Sequence, residues 1–121
     1  RSMTEALKTL DNFQTQGRRI FVIGDMLELG DLSLPAHKNL GEKISRSKVN
    51  ILVTVGELAS LSAKRVQALA GEKIQVLEFK EHQEAAEYLI REAKSGDCVM
   101  FKGSRGSAME KILQIFSTNK N

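Results

Sequence analysis

The run Lys102-Gly103-Ser104-Arg105-Gly106-Ser107 gathers two cations, two glycines and two hydroxyls in consecutive positions. It follows the apolar stretch Cys98-Val99-Met100-Phe101 and precedes Ile112, Leu113, Ile115 and Phe116, which recur at helical spacing. A strand-to-helix junction of this kind presents unpaired backbone N–H groups and the positive end of a helix dipole. An anion is favoured there. Lys102 adds a point charge, and Arg105 adds a planar fork that grips a carboxylate or phosphate through two parallel hydrogen bonds. The chemistry these residue types support is capture of an anionic group. A charged turn with no ligand is the plainer alternative.

A second loop, Gly24-Asp25-Met26-Leu27-Glu28-Leu29-Gly30-Asp31, carries three acids. Its spacing matches neither an EF-hand nor the GxGxxG dinucleotide fingerprint. Asp25 and Glu28 are therefore candidates to orient an amine or a cation, or else members of a solvated acidic loop. Met26, Leu27 and Leu29 are out of place in a solvated loop and predict that it packs against something.

The remaining chemically capable side chains are dispersed. His37 near the start of a helix reads as a surface or capping residue, and His82 as structural. Cys98, within an apolar strand, reads as a small buried filler and not as a nucleophile. With two His and one Cys far apart, a zinc site is not expected. Neither GxSxG nor the Walker spacing occurs.

The elements that position these loops alternate. Helices are expected over residues 2–13, 34–47, 57–69 and 82–94 and from about 106 onward, with strands over 19–23, 51–55, 74–79 and 98–101. Ser2 with Glu5 forms a capping pair for the first helix, and Gly71 is placed to stop the third. The strands are short apolar runs without polar alternation, which predicts a sheet buried on both faces. The expected fold is α/β, a Rossmann-like three-layer domain with a mostly parallel sheet covered by helices on both faces. In such sheets the working site lies beyond the carboxyl ends of the strands. Gly24-Asp25, Gly56-Glu57 and the segment from Lys102 to Arg105 all fall there.

Composition bounds the rest. The 121 residues suit one core, and 41% hydrophobic with 27% charged residues is an ordinary globular balance. No apolar run approaches the roughly 20 residues that span a bilayer. The net charge of +3 arises from 18 basic and 15 acidic residues that are interleaved, with five Phe, one Tyr and no Trp. A nucleic-acid surface is not indicated. A single cysteine fits a reducing cytoplasm. Because the chain opens on Arg1-Ser2-Met3 with a helix cap at once, it is expected to be excised from something longer.

Three segments together carry a family resemblance. Ser2-Met3 with Ala6-Leu7, then Gly24-Asp25-Met26-Leu27-Glu28-Leu29-Gly30, then Lys102-Gly103-Ser104-Arg105 with Met109-Glu110, resemble the C-terminal domain of the Mur ligases. Gly56-Glu57 and Gly96-Asp97 match as well. Within the family, the similarity points to the branch that adds D-Ala-D-Ala to UDP-MurNAc-tripeptide. The resemblance implies a cytoplasmic, three-domain, ATP- and Mg2+-dependent amide ligase of peptidoglycan precursor synthesis. There the dipeptide amine attacks an acyl-phosphate. It further implies that residues 1–121 are the third domain, closing over a central ATPase domain that binds most of the nucleotide and metal. The isolated domain is expected to be inactive. Arg105, supported by Lys102 and Ser104, would hold the dipeptide carboxylate, with Asp25 and Glu28 facing the amine or nucleotide. A receiver-like module and a free-standing nucleotide-binding module are the alternatives. Against the receiver, the second strand ends Val53-Thr54-Val55-Gly56 without a phosphate-accepting Asp.

Overall fold

Met3, Ala6, Leu7 and Leu10 recur along one face, and the helix they predict forms as α1 (Met3–Asn12) with that face buried. Its start is capped as expected, the Glu5 amide donating to the Ser2 hydroxyl at 3.1 Å. The computed structural model describes residues 2–27, 29–103 and 109–120. After α1 come β1 (Arg19–Gly24), α2 (Ser33–Ser45), β2 (Ile51–Val55), α3 (Glu57–Ala70), β3 (Gln75–Phe79), α4 (His82–Glu92), β4 (Cys98–Lys102) and α5 (Met109–Lys120). The helical spacing thus gave α2 and α4 ends about two residues too late. A φ of +58° at Gly71 stops α3.

The strands form one parallel sheet in the order β3-β2-β1-β4. Gly24 pairs with Val55, and Ile23 with Lys102. Alternation along each strand sends side chains to opposite faces. Phe21, Ile23 and Leu52 meet α1, α2 and α3 on one face. Ile20, Val22, Ile51 and Val53 meet α4 and α5 on the other. The three-layer Rossmann-like α/β fold expected from the strand pattern is therefore present. The first two crossovers step from β1 to β2 to β3 with their helices on one face. The return from β3 passes β2 and β1 to reach β4, and α4 lies on the opposite face, as right-handed crossovers require when direction reverses. β2 is buried throughout and β1 from Ile20 onward; β3 and β4, at the sheet edges, are mostly half-buried. Cys98 is accordingly half-buried instead of buried, and burial pushes its thiol pKa up, which weakens it as a nucleophile.

The starts of β1 and β4 are tied by Asp97, whose side chain is 4% exposed. It accepts from the Arg18 guanidinium at 2.7 Å and from the backbone amides of Arg18 and Lys94 at 3.0 and 2.9 Å. Burial alone raises this carboxyl, but the Arg18 hydrogen bond, the two amides and the Arg18 charge outweigh it and hold the pKa at about 2 instead of 3.8. A carboxylate depressed in the folded state stabilises fully above its unfolded pKa and loses that contribution as pH falls through the folded value. Asp97→Asn should therefore cost about 2 kcal/mol at pH 6, with the gap to the wild-type chain narrowing between about pH 4 and 2. Urea unfolding of both chains across that range measures it; a gap independent of pH would show that Asp97 acts through shape alone.

Candidate functional site

The helix that follows β1 packs on one face of the sheet, whereas the helix that follows β4 packs on the other. Neighbouring strands whose chains depart to opposite faces leave a crevice at their carboxyl ends, the place where open α/β sheets bind ligands. A cavity of about 310 Å³ lies here. It is lined by Met26, Leu27 and Leu29 of the loop after β1, by Lys102 and Gly103 at the end of β4, and by Ser2 and Met3 at the start of α1. The sequence named these strand ends but not their adjacency, which depends on strand order. The anomalous apolar loop residues have their explanation: Met26 packs against the core of the α1–α3 face, and Leu27 and Leu29 wall the cavity.

Lys102 is half-buried at the cavity and forms no ion pair with a described residue. Asp25 is committed structurally. Its Oδ1 accepts from the Ala59 amide at 2.7 Å, the third residue of α3. Gly56, at the N-cap position, has no side chain to do this, so a carboxylate from the adjacent strand end caps the helix in its place. Among the described residues, no donor is bonded to its second oxygen. Glu28, Ser104, Arg105 and the Phe116 side chain lie outside the described residues.

Gly56 and Glu57 lie beside a separate cavity of about 270 Å³ at the ends of β2 and β3, together with Ser60, Glu78 and Lys80. There the Ser60 hydroxyl donates to Glu78 Oε1 at 2.5 Å and Lys64 approaches the same carboxylate at 3.4 Å. Those groups satisfy one another, so this cavity reads as a surface network. It does not join the cavity between β1 and β4.

His37 departs most from its sequence reading. Expected as a surface or capping residue, it is 0% exposed, bonded through both ring nitrogens to Ser33 and Met26. The missed signal is its register: His37, Leu40, Gly41 and Ile44 follow the i, i+3, i+4, i+7 spacing of the buried face. His82 is half-buried at the start of α4. Among the described residues, no group of three or more His, Cys, Asp or Glu side chains stands together to hold a metal. Nor, among them, is any helix long and apolar enough to cross a membrane.

Residues 1–105 match the family model described as "Mur ligase, glutamate ligase domain". The chain belongs to the Mur ligase family. It corresponds to the C-terminal domain of a Mur ligase, and that membership displaces the receiver-like alternative. UDP-N-acetylmuramoyl-tripeptide–D-alanyl-D-alanine ligase of Bacillus subtilis is 34% identical over 113 residues, spanning 93% of this chain and 24% of that protein. The Escherichia coli K12 protein of the same name is 28% identical over 120 residues, 98% of this chain and 25% of the relative. This Mur ligase domain thus spans about a quarter of the length of those curated relatives. Among solved structures, MurF from Acinetobacter baumannii superposes with a TM-score of 0.78 at 27% identity, covering 97% of this chain and 25% of that one. MurF ligase from Thermotoga maritima in complex with ADP superposes at 0.74, with 24% identity and the same coverage of both chains; it shows the shared fold.

Proposed function

We propose that this domain serves a ligase that uses ATP to join D-Ala-D-Ala to UDP-MurNAc-tripeptide, and that its task is to hold the dipeptide against the activated tripeptide carboxyl. The observation that carries the reading is the cavity between β1 and β4, which is lined by Lys102 together with the apolar Leu27 and Leu29. D-Ala-D-Ala is a zwitterion with one carboxylate, one amine and two methyl groups. Lys102, with Ser104 and Arg105 supplying further donors, suits the carboxylate. Leu27 and Leu29 suit the methyls. Glu28 of the same loop is assigned to the incoming amine or to the nucleotide, whereas Asp25, held at the start of α3, does not line this cavity. Holding the amine in line with its target removes translational and rotational freedom from the reaction step, which is the domain's contribution to rate.

ATP and Mg2+ are assigned to the central domain of the full-length ligase, which this domain closes over. ATP activates the tripeptide carboxyl, and no step in this domain depends on holding the nucleotide. The names of the relatives support the substrate pair. A cytoplasmic setting accompanies the reading, in keeping with a lone half-buried cysteine.

The test is ATP-dependent phosphate release by the full-length protein carrying this chain, supplied with UDP-MurNAc-tripeptide, with and without D-Ala-D-Ala. Release that requires the dipeptide is expected. Release that instead answers to a single amino acid would keep the ligase chemistry and reassign the acceptor. Absence of release with every acceptor, alongside ATP binding by the 121-residue chain alone, would favour a nucleotide-binding module.

A further inference from the structure

The function proposed above leaves His37 without a task, yet its ring is fully buried and held at both ends. The Ser33 carbonyl lies 2.7 Å from Nδ1, and the Met26 amide nitrogen lies 3.0 Å from Nε2. A backbone carbonyl only accepts and a backbone amide only donates. The partners therefore fix the ring's state: Nδ1 carries the proton, and Nε2 offers its lone pair to Met26. The backbone of the same residue is anchored too, because the Ser62 hydroxyl of α3 donates to the His37 carbonyl at 2.5 Å. His37 thus spans from the packed α2–α3 layer to the loop after β1.

That loop needs such an anchor. Pairing of β1 with β2 ends at Gly24 and Val55. Beyond it, Asp25 reaches α3 through the Ala59 amide, and Met26 reaches α2 through His37. The next residue, Leu27, and then Leu29, line the cavity together with Lys102. A shift of the Met26 amide would move Leu27, its chain neighbour, and pull on Leu29, whose carbonyl accepts from the Leu32 amide at 3.1 Å.

We infer that His37 is a positioning residue for the acceptor pocket: through the Met26 amide it sets Leu27 and Leu29 at the distance from Lys102 that a small zwitterionic dipeptide requires. It touches no substrate in this role. The inference rests on assigning the cavity to D-Ala-D-Ala.

Side-chain amides can separate the two bonds of the ring. Asparagine places an N–H near the Nδ1 position and keeps the bond to Ser33, but does not reach Met26. Glutamine carries its carbonyl to the Nε2 position and keeps an acceptor for the Met26 amide. In the full-length ligase, His37→Asn should raise the KM for D-Ala-D-Ala about tenfold, as loss of one hydrogen bond implies, while the KM for ATP stays within about twofold. His37→Gln should return the dipeptide KM to within about threefold of wild type. Hydrogen exchange over residues 24–30 should quicken in the Asn variant and remain slow in the Gln variant.

Equal effects of the two variants on both KM values would overturn the inference, leaving His37 a core residue only. If the Asn variant does not fold, His37→Gln decides alone: a tenfold rise in dipeptide KM with an unchanged melting temperature would sink it. A wild-type ligase whose phosphate release ignores D-Ala-D-Ala would overturn the substrate assignment instead. The exchange comparison would then still decide whether His37 pins the loop, with equal exchange in both variants refuting it.

Discussion

Gly56→Ala is expected to destabilise the chain by on the order of 3 kcal/mol, and adding Asp25→Ala to it should cost little more. Two separate penalties act at this position. The backbone has φ +113° and ψ 162°, a region that residues with a Cβ scarcely enter and that costs about 1–3 kcal/mol when forced. A Cβ built there would also stand 2.5 Å from Asp25 Oδ1 and 2.8 Å from its Cγ. The carboxylate must then leave, taking with it the cap on the Ala59 amide, worth about 1–2 kcal/mol. Urea unfolding of the two single variants and the double variant measures the coupling. The double variant should be less destabilised than the sum of the singles by about 1 kcal/mol or more, because the cap on Ala59 is lost in each single variant and only once in the double. Strict additivity would mean that backbone strain alone accounts for Gly56, and that the carboxylate moves aside at no cost.

The same pair explains why the acidic loop was only half legible in the sequence. Asp25 was visible as an acid after a strand, and the strand-end rule placed it near a site. Its use as a cap for α3 was not visible, since the amide it serves belongs to Ala59, 34 residues further along. Contacts between loops of different crossovers depend on strand order, and strand order is decided by packing across the whole sheet. Local periodicity carries no record of it. Where the cause was local, the sequence spoke clearly: the Ser2 cap, the stop at Gly71 and the fully buried residues of β2 are all where residue type and spacing put them. The half-buried edge strands β3 and β4 read like central ones, because an apolar run does not say whether a neighbour lies on one side or two. His37 was misread for a different reason. Residue type argued for the surface and register argued for the core, and the two part-buried hydrogen bonds that reconcile them come from Ser33 in the same helix and from Met26 in the loop that leads into it.

On the proposed reading, Arg105→Ala in the full-length ligase should raise the KM for D-Ala-D-Ala by about ten- to a hundredfold and leave the KM for ATP within about twofold. A charge-assisted contact to a carboxylate in a closed site is worth about 1.5–3 kcal/mol, and each 1.4 kcal/mol is a factor of ten. Arg105 follows Lys102 by three positions in the segment leaving β4, the strand beside the switch-point cavity. The two cations differ in what they offer. A guanidinium meets both oxygens of a carboxylate in one plane, whereas an ammonium is a compact, strongly hydrated point charge. Arg105→Lys should therefore recover only part of the lost affinity, and Lys102→Ala should raise the dipeptide KM less than Arg105→Ala does. An effect of Arg105→Ala on the ATP KM as large as that on the dipeptide would move the residue to the nucleotide. Unchanged KM values for both substrates would remove Arg105 from the site, leaving Lys102 as the cation for the dipeptide carboxylate. The order of the three variants thus tests more than charge: if Arg105→Lys behaved as wild type, attraction alone would bind the dipeptide, and the forked geometry would have no part in its recognition.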